Sequence, residues 1–156
     1  MTEPPRVLID ADGCPVVDLT VSIARRRGLE CLILCDTSHV FEKPGATTLT
    51  FSKGPDSVDL ALVNLLRAGD AVVTQDYGLA AMCLARRARV LDQNGMEYTD
   101  ANIVGLLLAR HTAKKIRSAG GRLRGPAKRA AGQDADFAQA LERLLAQLRP
   151  PEETAP

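Results

Sequence analysis

The chain has 156 residues, 46% of them apolar and 25% charged, with 20 Lys and Arg against 19 Asp and Glu for a net charge of +1. That length suits one domain with a substantial core, the composition excludes wholesale disorder, and the overall charge points to no particular partner. Three Phe, two Tyr and no Trp imply an aliphatic core and count against binding single strands through rows of stacked bases.

Val7 to Ile9 opens the chain as a short apolar run suited to a buried strand, and it ends abruptly in Asp10-Ala11-Asp12-Gly13-Cys14-Pro15. If extended geometry continues to Asp12, both carboxylates face one side. Their repulsion raises a carboxylate pKa unless a cation or solvent relieves it, and a divalent ion with hard oxygen ligands would do so. The same residues also read as a turn at Asp12-Gly13, with Asp10 capping the next helix. That helix starts near Pro15, carries Val16, Val17, Leu19, Thr20, Ile23 and Ala24, and stops at Gly28 after three arginines.

Leu29 to Cys35 is a second strand, followed by Asp36-Thr37-Ser38-His39. His39 could be a ligand or a general base, or simply a loop histidine. Glu42 to Gly45 is a turn, and Thr47 to Phe51 alternates as a short third strand. Lys53-Gly54-Pro55-Asp56-Ser57-Val58-Asp59 then runs into a helix through Leu66. Asp56 makes a good N-cap with Asp59 three residues on, and the same spacing lets both face one ion. Asp70 to Thr74 is a fourth strand with Gln75-Asp76 at its carboxyl end, and Tyr77-Gly78-Leu79 leads into a helix through Ala85. Ala88 to Asp92 is a fifth strand, Gln93-Asn94-Gly95 a turn, and Thr99-Asp100 caps a helix carrying Ile103, Val104 and Leu106 to Leu108.

From Arg110 to Arg129 there is no acidic residue. Gly120, Gly121, Gly125 and Pro126 predict mostly loop, a basic segment of about 110–132. It reads either as a surface for backbone phosphates or as a solvated loop. A final helix of about 134–148 carries Phe137, Leu141, Leu144, Leu145 and Leu148 on one face and should dock on the body. Residues 150–156 read as a disordered tail, leaving 1–149 as a single domain. Cys14, Cys31, Cys35 and Cys83 form no metal-like pair and are expected as reduced thiols. With no apolar segment opening Met1 to Arg6 and no run long enough for a membrane span, a cytoplasmic protein is expected.

Alternating strands and helices predict an α/β fold with an open, mostly parallel sheet covered on both faces. Ligands bind such sheets outside the carboxyl ends of the strands. Asp10, Asp12, Asp36 and Asp76 end strands there, and the helix opened by Asp56 and Asp59 could approach the same rim. Carboxylates without His or Cys select Mg²⁺ or Mn²⁺ over zinc.

Ile9-Asp10-Ala11-Asp12-Gly13-Cys14-Pro15-Val16, Gly54-Pro55-Asp56-Ser57-Val58-Asp59 and Gly69 to Ala80 together resemble the YaiI/YqxD family of uncharacterised bacterial proteins. Asn102-Ile103, Arg110, Lys115-Ile116-Arg117, Gly120 and Gly125-Pro126 also match its layout, so the likeness extends to about Leu148. Gly13 stands where alanine is more usual. That family is similar to PIN-like domains, which implies a three-layer α/β/α sandwich and a nuclease dependent on Mg²⁺ or Mn²⁺, with RNA ahead of DNA as substrate. By this likeness Asp10, Asp59 (with Asp56) and Asp76 match the catalytic acids; Asp12, which has no fixed counterpart in most PIN domains, is expected to act beside Asp10 as a further catalytic acid. Asp10, Asp12, Asp56, Asp59 and Asp76 would hold metal, supported by Thr74 and Ser57. Arg110, Lys114, Lys115, Arg117, Arg122, Arg124, Lys128 and Arg129 would meet nucleic acid. Two rivals remain. Asp10-x-Asp12 could be the nucleophile and acid of a metal-dependent phosphatase, with Lys53 or a lysine of the basic segment at the phosphate. Alternatively, the chain could be a non-catalytic RNA-binding module.

Overall fold

The computed structural model describes residues 3–36, 42–52, 54, 56–121 and 128–148. Its centre is β1 (Val7–Asp10), flanked in parallel by β2 (Cys31–Asp36) on one side and β4 (Ala71–Val73) on the other. β3 (Thr47–Phe51) extends the sheet beyond β2, and β5 (Arg89–Leu91) and β6 (Glu97–Tyr98) extend it beyond β4. The order β3-β2-β1-β4-β5-β6 is parallel except for β6, which pairs antiparallel with β5.

Strands buried on both faces must be apolar, as β4 and all but the last residue of β1 and β2 are. The alternation of side chains sorts them into two cores. Val7, Ile9, Ile33 and Val73 face α1 (Val17–Arg26) and α5 (Gln133–Gln147). Leu8, Leu32, Leu34, Val72 and Val90 face α2 (Ser57–Leu65), α3 (Tyr77–Ala85) and α4 (Asp100–Ser118). The result is the expected three-layer α/β/α sandwich. At the amino end of the sheet, buried Asp70 accepts hydrogen bonds from the Arg6 N–H and guanidinium, each at 2.9 Å, and from the Arg67 N–H, tying β1 to the α2–β4 link.

Two expectations need correction. The segment from Arg110 is not mostly loop: α4 continues through His111, Lys114, Lys115 and Arg117 to Ser118, beyond a Thr99–Asn102 capping box. Its last turns include Ala113, Lys114, Lys115 and Arg117, good helix formers that extend a helix already anchored upstream. Beyond Arg110 the first glycine is Gly120, past the end of the helix, at φ +86°. The turn at Gln93-Asn94-Gly95 joins two strands rather than a strand and a helix. β6 is only two residues long and too short to leave a pattern, yet Tyr98 is 1% exposed.

Among the described residues no helix is long and apolar enough to cross a membrane. The four cysteines are free thiols, and burial pushes those of Cys31 and Cys83 up to about 12, which leaves them protonated and unreactive. His39, Lys53, Arg122, Arg124, Gly125-Pro126 and the 150–156 tail lie outside the described residues.

Candidate functional site

β3 to β4 is the step at which the chain crosses from one side of β1 to the other, so the carboxyl ends of β1 and β4 border the crevice where an open α/β sheet offers room for a ligand. A cleft of about 470 Å³ lies there, lined by Asp10, Asp12, Asp36, Asp56, Asp59 and Asp76 together with Ser57, Gln75, Tyr77 and Arg110. All the aspartates expected from the sequence line it. So does Asp36, which the sequence placed on the rim without giving it a role.

The strand does not continue to Asp12. β1 stops at Asp10, and Ala11 to Cys14 form a turn closed by the Cys14 N–H on the Ala11 carbonyl, with Gly13 at φ +72°. The turn exists, but Asp10 does not cap α1, and both carboxylates still reach the cleft. They lean opposite ways. Asp10 Oδ2 accepts from the Thr74 hydroxyl at 2.7 Å on the β4 side, and Asp12 Oδ2 accepts from the Asp36 N–H at 3.0 Å at the end of β2.

Thr74 ties two of the acids together. Fully buried, it donates to Asp10 while its Oγ1 accepts the Asp76 N–H at 3.0 Å. Its carbonyl accepts from the Tyr98 hydroxyl at 3.2 Å, so the antiparallel β6 buttresses the site from behind. Asp76 is the N-cap of α3, its Oδ1 accepting from the Gly78 and Leu79 N–H groups at 2.8 and 3.2 Å. Any Cβ at position 78 would stand 3.3 Å from that oxygen, so glycine gives the carboxylate its room. Asp56 precedes α2 in the left-handed region at φ +64° and makes no capping hydrogen bond with its side chain. The expected N-cap is thus absent, and its carboxylate lines the cleft instead.

Crowding of like charge is visible in the titration behaviour. Burial pushes the Asp10 carboxyl up, opposed by the Thr74 hydrogen bond and reinforced by Asp76 and Asp12. Asp59, one turn into α2, rises to about 6. Burial is the largest cause, the charges of Asp76, Asp10 and Asp56 come next, and a hydrogen bond to Asp76 adds to them. Asp59 is thus the acid whose ionised form the surroundings oppose, through burial first and neighbouring charge second.

The donor set is all carboxylate oxygen, which suits Mg²⁺ or Mn²⁺ and not zinc. Among the described residues, no three His, Cys, Asp or Glu side chains come together as a ready-made metal cage. A largely hydrated Mg²⁺ needs only one or two carboxylates, and the Asp59–Asp76 pair with Asp10 beside it meets that demand. The residues fit a wet, hard cation rather than a dry, fully protein-ligated one.

The basic residues divide. Arg110 lines the cleft, its Nη1 3.5 Å from Asp76 Oδ1, and among the described residues it is the one cation there. Lys114 and Lys115 lie along α4 with His111, beside a separate exposed hollow, and Arg117 is exposed on the same helix. Lys128 is exposed as well. Arg129 instead holds Asp134 Oδ1, Asn94 Oδ1 and the Gln93 carbonyl, clamping the β5–β6 turn to the start of α5. Tyr77 is the lining residue that sequence reasoning passed over. Its place directly after a strand-end aspartate was the available signal.

Comparison with known proteins gives a consistent answer. The family model described as "Uncharacterized BCR, YaiI/YqxD family" matches residues 8–147. A UPF0178 protein of Exiguobacterium sibiricum is 54% identical over 140 residues, covering 90% of this chain and 96% of the relative. UPF0178 proteins of Ruminiclostridium cellulolyticum and Natranaerobius thermophilus are 47% and 40% identical, over 87% and 92% of this chain and 89% and 98% of theirs. No solved structure matches the chain.

Proposed function

From the premise that the chain belongs to the YaiI/YqxD family, we propose that it is a PIN-like nuclease of the bacterial cytoplasm, dependent on Mg²⁺ or Mn²⁺ and cleaving phosphodiesters in RNA rather than DNA. The observation that carries this reading is the convergence of six aspartates on one cleft with Arg110 at its edge. Burial, reinforced by the charges of Asp76, Asp10 and Asp56, pushes the Asp59 carboxyl up to about 6, and a cation in the cleft would relieve the crowding of like charge.

The Asp59–Asp76 pair would hold a largely hydrated ion, with Asp10, Asp12 and Asp56 lining the same cleft. When bound, it supplies Lewis acidity, making an attacking water more acidic and balancing charge at the phosphate. The chain's own groups do the rest. Thr74 fixes the Asp10 carboxylate through its hydroxyl and the Asp76 backbone through its oxygen, so the two acids keep their separation as charge changes. Arg110 offers a fork of donors to a phosphate oxygen at the rim. The exposed Lys114, Lys115 and Arg117 continue the positive charge along α4 for sequence-independent backbone contact.

The test is cleavage of a mixed RNA and DNA panel with Mn²⁺ by the wild type beside Asp10→Asn and Asp76→Asn. RNA cleavage by the wild type and its loss in both variants is expected. Equal cleavage by all three would remove these residues from the mechanism. Tight RNA binding without turnover on any substrate would favour a non-catalytic binding module.

A further inference from the structure

A second groove of about 480 Å³ opens from the same carboxylates, sharing Asp59, Asp76 and Arg110 with the first but running over Leu60, Leu79 and Met82. Leu79 is fully buried and forms its floor, whereas Leu60 and Met82 are 59% and 39% exposed. In the first groove Tyr77 is the one aromatic among the described lining residues. Its ring meets that of buried Tyr98 at 5.9 Å and 66°, and Tyr98 is itself anchored on the Thr74 carbonyl. The ring is therefore held in place before any ligand arrives, so ordering it costs little on binding.

The acids thus stand between an aromatic platform and an aliphatic trough, with a guanidinium at the junction. A paired duplex presents phosphates and hides its bases, and could use only the guanidinium. A strand with splayed bases can use all three, since every base has a face that stacks on an aromatic ring.

We infer that Tyr77 is a stacking platform for one unpaired nucleobase, that the Leu60–Met82 groove receives its neighbour, and that Arg110 meets the phosphate between them. This rests on the nuclease reading above and assigns it a substrate subsite. It also accounts for the exposure of Leu60 and Met82 beside a charged cleft. A single platform agrees with a chain too poor in aromatics for rows of stacked bases.

The test measures binding of a short single-stranded RNA carrying 2-aminopurine, in Ca²⁺ to suppress cleavage, with the duplex of the same sequence as the second ligand. The proteins are the wild type, Tyr77→Phe, Tyr77→Leu and Leu60→Ser, with thermal midpoints by circular dichroism confirming that each is folded. Stacking predicts that wild type and Tyr77→Phe bind the single strand alike and quench the probe. Tyr77→Leu should bind about 5–150-fold more weakly and lose the quench, the range set by one base–aromatic contact. Leu60→Ser should weaken the single strand and leave the duplex unchanged. Single-strand binding indifferent to Tyr77→Leu, or an equal loss on the duplex, overturns the subsite and leaves the nuclease reading standing. Failure of the wild type to bind either nucleic acid overturns both.

Discussion

Replacing Thr74 with valine keeps the size and branching of a fully buried side chain and deletes one hydroxyl. Two hydrogen bonds go with it: the 2.7 Å bond donated to Asp10 and the 3.0 Å bond accepted from the Asp76 N–H. A bond to a charged acceptor contributes about 1.5–3 kcal/mol and a neutral one about 0.5–1.5 kcal/mol, so with Asp10 ionised the variant should lose about 2–4 kcal/mol. The loss must also depend on pH, with a definite sign. Burial raises the folded-state pKa of Asp10 above 3.8 and the Thr74 bond pulls it back down. The ionised form therefore costs stability above the folded pKa, and that cost disappears as pH falls. Removing Thr74 raises the folded pKa further, so the variant suffers most at pH 8. At pH 3, below even the ordinary carboxyl value of 3.8, folded Asp10 is protonated and the loss should shrink toward the roughly 1 kcal/mol of the neutral bond alone. Urea unfolding of both proteins at the two pH values measures this directly. A loss that is the same at both, or under about 0.5 kcal/mol at pH 8, would refute the claim that Thr74 restrains a charged Asp10.

Other consequences follow from neighbouring groups. Because Asp59 titrates at about 6, Mn²⁺ must displace its proton at low pH. The apparent affinity should rise as pH climbs through 6 and level off above it, which calorimetry at pH 5, 6 and 7.5 would show. Asp76→Asn removes both a charge and a hydrogen bond that hold that proton, so carboxyl-carbon NMR should find the Asp59 titration moved toward the ordinary value of 3.8. Arg110→Ala takes away the cation already beside Asp76, an exposed pair of modest strength. Mn²⁺ affinity should therefore rise by no more than about fivefold while RNA affinity falls, read by titration of each ligand separately. Asp70→Ala strands the Arg6 guanidinium at the other end of the sheet and should lower stability by about 3–5 kcal/mol in urea, with Mn²⁺ affinity per folded molecule unchanged.

Much of this site could be read in the sequence because parallel strands impose two separate demands on the same short stretch. Between the helix layers every position must be apolar, as Val7 to Ile9 and Ala71 to Val73 are. Where the strand reaches the rim the constraint lifts, and a carboxylate appears at the last residue of β1, Asp10, and three residues beyond β4, at Asp76. The abruptness of the change carried the information. Where no such demand operates, the sequence was silent. Arg110 to Ser118 buries nothing that would give a helical period, so its helix had no apolar stripe to announce it. β6 has two residues, fewer than one full alternation, and its buried Tyr98 looked like an isolated aromatic.

A carboxylate can cap a helix and still act on its neighbour's charge, as Asp76 does. Its Oδ1 caps α3 through two backbone N–H groups, and the same carboxylate raises the pKa of Asp59. Asp10 and Asp12 behave alike, each tied to the scaffold through Oδ2 by Thr74 or by the Asp36 N–H. A carboxylate has two oxygens, and the scaffold bonds named here fall on one of each pair. They fix the plane and direction of acids that would otherwise swing apart under mutual repulsion. Asp56 is the instructive exception: it has the cap position without a capping bond and is exposed. Loss of Asp56 should therefore weaken cation binding less than loss of Asp76, although both line the cleft. An Asp56→Asn variant that weakened Mn²⁺ as much as Asp76→Asn would show that proximity alone, and not anchorage by the fold, decides which acids serve the ion.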